Sequence, residues 1–133
     1  MRKTILASVV LATVMGGYTL MTAGTATAMD KAASCAAVVD VTTKFNDQMG
    51  ALDKSDPNFE GNRKGVIDNF SDRLTGVAAT TDDSELKSTI TRAAEKSRQL
   101  GTVSNDEYNK IVQDKNSDFV TAATELNNAC PLP

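Results

Sequence analysis

Apolar residues recur along this chain at alternating spacings of three and four, the period that puts them on one face of an α-helix. The pattern predicts four helices after residue 28. The first covers roughly residues 30–52, with Cys35, Val38, Thr42, Phe45, Met49 and Leu52 in its stripe. Asp53-Lys54-Ser55-Asp56-Pro57 interrupts it; Asp56 is suited to cap the next helix and Pro57 to its first position. The second helix runs to about residue 79, with Phe59, Val66, Phe70, Leu74 and Val77 inward and Ile67 flanking. Gly61 and Gly65 weaken its early turns by up to ~1 kcal/mol each relative to alanine.

Thr80-Thr81-Asp82-Asp83 reads as a turn, and Asp82 with Glu85 has the spacing of a capping box. The third helix carries Leu86, Ile90, Ala93, Ser97 and Leu100 on one stripe. Its acids gather at the start and Arg92, Lys96 and Arg98 toward the end, which complements the helix dipole at ~0.3–1 kcal/mol per well-placed charge. Gly101 is a suitable stop. Ser104-Asn105-Asp106-Glu107 opens a last helix to about residue 128, with Tyr108, Ile111, Val112, Phe119, Ala122, Ala123 and Leu126 inward. Short turns between amphipathic helices favour antiparallel neighbours. The expected fold is all-α, an antiparallel up-down-up-down four-helix bundle.

The segment before residue 29 has a different character. Met1-Arg2-Lys3 is a short positive region, Ile5 to Met15 is an apolar run, and Ala26-Thr27-Ala28 is an A-x-A cleavage pattern. Residues 1–28 are therefore expected to be a signal peptide, and residues 29–133 a single helical domain. An uncleaved anchor fits less well, because the apolar stretch fades after Leu20 and a spanning helix wants about 20 predominantly apolar residues. The expected location is secreted, outside the cell or at its envelope, with no stable membrane insertion after cleavage.

An exported chain with two cysteines is expected to join them, so Cys35 and Cys130 form the one expected disulfide. They lie at the start of the first helix and the end of the last, places that share one end of such a bundle. A loop of that size contributes ~4.7 kcal/mol at most in the chain-entropy account. Ala32-Ala33-Ser34-Cys35 is also a partial lipobox, but Met29-Asp30-Lys31 separate it from the apolar run and lipidation would strand Cys130.

Composition narrows the chemistry further. Acidic residues outnumber basic ones, 17 to 14, and Arg2 and Lys3 leave with the signal. Nucleic acid and anionic membrane surfaces both reward a positive footprint, so neither is an expected partner. There is no histidine, which removes the commonest general base near neutral pH and the commonest transition-metal ligand. With both cysteines oxidised no thiolate remains. The expectation is no enzyme, no catalytic residues, no metal site and no cofactor.

The remaining candidates have plainer readings. Asp82-Asp83-Ser84-Glu85 lacks the spacing of a calcium loop, and it and the Asp53/Asp56 pair read as caps or solvated turns. Arg92, Lys96 and Arg98, with Arg63 and Lys64, read as solvated helix faces, Glu95 being placed to pair with Arg98. Asn69-Phe70-Ser71 matches a glycosylation acceptor but sits inside a helix. Tyr108 is a haem-ligand candidate only by elimination; on its stripe it reads as a core-edge residue with its hydroxyl in water. Met49 and the four phenylalanines read as core, and Lys115 as a stem along the core edge. The many alanines either draw helices together or leave room for an apolar ligand.

The plan as a whole resembles the small secreted helical proteins of actinobacteria. The residues that carry the likeness are the cysteine early in the first helix (Ser34-Cys35-Ala36-Ala37-Val38) and the closing Cys130-Pro131, between Ala/Thr/Asp-rich helices. The resemblance implies location and fold more than activity. The expected function is therefore that of a non-catalytic secreted or envelope-associated bundle binding a protein or cell-wall partner through its surface. The alternative is a carrier of a small apolar ligand held between the helices.

Overall fold

The computed structural model of the chain describes residues 28–132. Apart from Ala28, the expected signal peptide lies outside the described residues. Those residues are all-helical, with five helices: α1 (Lys31–Gly50), α2 (Phe59–Thr80), α3 (Ser84–Leu100), α4 (Asn105–Gln113) and α5 (Asp118–Ala129). α2 packs along both α1 and α3, α3 packs along α5, and α4 touches α5. The expected disulfide is present, joining Cys35 to Cys130 with their Cα atoms 5.0 Å apart.

The single long helix expected over 105–128 is two helices, and the cause is local. Asp114 accepts from the Asn116 N–H at 2.9 Å, and Ser117 Oγ donates to the Ile111 carbonyl at 2.9 Å while receiving the Val120 N–H at 3.2 Å. Asp, Asn and Ser offer the backbone these alternatives to a continuous helix, so the chain turns and Ser117 caps α5. Two further caps shift from expectation. α2 begins at Phe59 behind Asn58, because Asp56 instead accepts the Asn58 N–H and closes a turn that contains Pro57. α3 is capped by Asp83 rather than Asp82, with Leu86 N–H donating at 2.8 Å. Ser104 caps α4 as its motif predicts.

The core follows the third helix most closely. Leu86, Ile90, Ala93, Ser97 and Leu100 are all buried, joined by Ala94. In α2 the inward face is rotated from the expected one. Ile67 is fully buried with Arg63, Phe70, Ser71, Leu74 and Ala78, whereas Val66 and Val77 are only partly covered. Small residues let α2 and α3 meet closely: Ser71 Oγ donates to the Ala94 carbonyl across the pair at 2.7 Å, and Ser97 Oγ turns back to the Ala93 carbonyl of its own helix at 2.7 Å. Gly101 completes that contact. A Cβ there would stand 3.3 Å from Ile67 Cγ2 and 2.8 Å from Asp68 Oδ1, so a larger residue would press on Ile67 and turn the exposed Asp68 carboxylate aside, although the helical φ of −67° suits any residue.

Of the four phenylalanines expected in the core, Phe70 is fully buried and Phe45 is partly buried and packed against the core; Phe59, Phe119 and Met49 are partly buried. Lys115 is exposed in the turn between α4 and α5 and lies along no core edge. At the opposite extreme of the domain Met29 forms an isolated parallel bridge with Thr81.

Candidate functional site

Two of the partly buried phenylalanines, Phe45 and Phe119, face a common space. α1 and α5 are tied by the disulfide, but between them lies an apolar cleft of about 210 Å³. α1 contributes Val38, Thr42, Phe45 and Asn46 to one wall, at the spacing of a single helix face. α5 supplies Phe119, Ala123, Leu126 and Asn127 to the other, again three and four apart. Ala93 and Ser97 of α3 form part of the lining; they are too short to fill the space. Cys130 and Leu132 line it at the disulfide end, and Leu132 is 40% exposed.

Phe45 and Phe70 stack on one another with centroids 4.2 Å apart and planes 28° from parallel. That stack holds the α1 wall against α2. The lining contains no Lys, Arg, Asp or Glu; its polar groups are the side chains of Thr42, Asn46, Ser97 and Asn127. The Ser97 hydroxyl is already engaged with the Ala93 carbonyl. The cleft thus offers apolar contact with amide and hydroxyl groups and no fixed charge. By volume it exceeds the ~150 Å³ cavity known to accept benzene and falls short of the ~300–1,000 Å³ of drug-sized sites. One ring or a short branched chain fits it.

The other sequence candidates lie elsewhere. The cations expected to form solvated faces are scattered and paired: Arg92 with Glu125, Lys96 with Asp118 at 3.6 Å, Arg98 with Asp72 at 2.9 Å and Lys64 with Glu60 at 3.3 Å. Arg98 thus takes Asp72 across the helix interface, not Glu95 on its own helix. Asp53 accepts both the backbone N–H and the hydroxyl of Ser55, which holds its carboxyl below the ordinary value. Asp83 is a cap. Asn69 is exposed on α2 and Cys35 is in the disulfide. Among the described residues no three His, Cys, Asp or Glu side chains gather as metal ligands.

Arg63, expected on a solvated face, is buried instead. It is 1% exposed. Its Nη2 donates to the Val103 carbonyl at 2.8 Å and its Nε to Asn105 Oδ1 at 3.0 Å. Its guanidinium lies 4.5 Å from the Tyr108 ring centroid, so the haem-ligand candidate is instead one face of a cation–π contact. Burial pushes the Tyr108 phenol above its ordinary value, against the opposing pull of the Arg63 charge. Glu60 completes the cluster by accepting the Asn105 N–H at 3.2 Å, which, with Lys64 beside it, holds its carboxyl low. The only sequence signal for this arrangement was position: Arg63 falls four residues before Ile67 on the buried face of α2.

No protein family, curated protein or solved structure matches the chain.

Proposed function

We propose that this chain is an exported, non-catalytic binding protein whose contact surface is the cleft between α1 and α5. The partner is a protein or cell-envelope component that presents a neutral apolar group of about one ring. The observation that carries this is a small, uncharged, phenylalanine-walled cleft open to one side. Its size argues for a group projecting from something larger, since sites for free ligands bury ~70–90% of them in larger volumes. Carriage of a small apolar ligand is the second reading, favoured by the same uncharged lining.

Export rests on the leader pattern of residues 1–28, and a cysteine pair suits an oxidising location. The lack of histidine supports a binding role over catalysis. The domain is read as an up-down four-helix bundle whose last member is broken into α4 and α5. Supporting this, paired contacts run in opposite chain order: Met29 with Thr80 and Phe45 with Phe70, Asp68 with Gly101 and Ser71 with Ala94, Arg92 with Glu125 and Lys96 with Asp118.

The test uses the disulfide-bonded protein and toluene, a neutral single-ring probe followed by ligand-observed NMR. Wild type is expected to bind it, and Ala123→Trp, which fills the cleft from an exposed position, to lose binding at unchanged stability. Equal binding by both proteins sinks the cleft as the site. A photo-crosslinking residue at Asn46, an exposed position that lines the cleft from α1, then separates the readings, since a macromolecular adduct on cells supports the first. An apolar small molecule in the organic extract, without an adduct, supports the second.

A further inference from the structure

Met29 makes the first tertiary contact of the described chain. Its N–H donates to the Thr80 carbonyl at 2.7 Å, and its own carbonyl accepts the Asp82 N–H at 2.9 Å. Ala28, one residue earlier, is exposed and outside any helix. The residue at which the fold takes hold is therefore the one that follows the A-x-A pattern. Thr80 is the last residue of α2, and its carbonyl belongs to the set that a helix end leaves without an intrahelical partner. That end carries partial negative charge, and α2 has no basic residue in its last turn.

The charged residues that adjoin Met29 and its bridge partner Thr81 along the chain are mostly acidic. Beside Met29 they are Asp30 and Lys31, and from Thr81 into the first turn of α3 they are Asp82, Asp83, Glu85 and Lys87. Both lysines are exposed, and the carboxylates of Asp30 and Asp83 are turned to the Ala33 and Leu86 N–H groups as caps. The position calls for a cation, and an amide supplies none.

We infer that the amino group of Met29, freed by hydrolysis of the Ala28–Met29 peptide bond, is the cation that caps the C-terminus of α2. A signal peptidase adds water across the bond; Ala28 departs with the carboxylate, and the Met29 nitrogen keeps its place and takes up a proton. One N–H still points at the Thr80 carbonyl, now as a charge-assisted bond, roughly twice as strong as a neutral one. The Asp82 N–H holds the Met29 carbonyl and so keeps the ammonium in register. Processing then does more than release the protein, since it strengthens the junction of α1, α2 and α3. This rests on the export reading above.

The experiment compares three disulfide-bonded chains: one starting at Met29 with a free amine, the same chain N-acetylated, and one retaining Thr27-Ala28. Near pH ~6 the free-amine chain should have a folded-to-unfolded ratio about two- to five-fold above the acetylated one in urea titrations. The ammonium has a raised folded-state pKa, so its contribution is full below the unfolded value of ~7.7–8.0. It is lost as pH rises through the folded one. The advantage should close by pH ~10, and Asp82→Asn should reduce it. Equal ratios near pH ~6, or an advantage that persists at pH ~10, overturn the capping role. Separately, the intact mass of the exported protein should begin at Met29; any other start overturns the processing site. Because the three chains are prepared in vitro, the two failures are distinguishable.

Discussion

Arg63 stands in the sequence beside Lys64 as half of a basic pair, but in the fold the two serve different ends. Lys64 stays at the surface with Glu60, while Arg63 ties α2 to the segment that enters α4. Two donors of a planar fork and a face for Tyr108 are used together, which an ammonium does not reproduce. Arg63→Lys is expected to cost about 1–3 kcal/mol, read from the urea midpoint, because it leaves two part-buried acceptors without their donors and a buried site underfilled. Tyr108 adds a pH signature. Its phenol is raised by burial, so its contribution is full below the unfolded value near ~10 and is lost as pH rises through the folded one. Tyr108→Phe should flatten the alkaline fall in melting temperature relative to wild type. An unchanged slope would show that the phenol's burial is not coupled to folding.

At the scale of elements, α3 was the most legible in the sequence and the α4–α5 segment the least. The stripe of α3 is flanked by neighbours on two sides, so every residue at its period is covered. α4 has no fully buried residue although Tyr108, Ile111 and Val112 keep helical spacing. A stripe shows that a helix is amphipathic, not that a partner lies over it. The break before α5 was signalled by Asp114-Lys115-Asn116-Ser117, yet the apolar period continues across it and conceals the cap. Ser117→Ala is expected to cost ~0.5–2 kcal/mol by removing that cap. Amides of α4 should exchange with solvent well before those of α2 and α3, because local opening there exposes little apolar surface. Exchange of α4 as slow as that of α3 would contradict its peripheral place.

For the whole molecule the disulfide spans 95 residues and closes a junction that packing closes only weakly. α5 rests on α3 and α1 on α2, so Cys35–Cys130 is the covalent tie between the two walls of the cleft. Replacing both cysteines by serine is expected to lower stability by ~2–5 kcal/mol and to weaken toluene binding beyond that due to unfolding. Thermal melts with and without reductant check the first; titration at low temperature checks the second. Equal affinity in the serine variant would show that the cleft is formed by packing alone.

By itself the sequence determined the helical class, the α3 core face, the cap at Ser104 and the pairing of its two cysteines. These depend on residue spacing and on chemistry within a few positions, or on there being only one possible pair. The rotation of α2, the burial of Arg63, the division of the last helix and the cleft were decided by tertiary structure. Each depends on which neighbour covers a face, and spacing along one helix carries no record of that. The cleft is the clearest case, because Ala93 and Ser97 read in the chain as small core residues. Only the placement of α1 and α5 around them leaves space above those side chains.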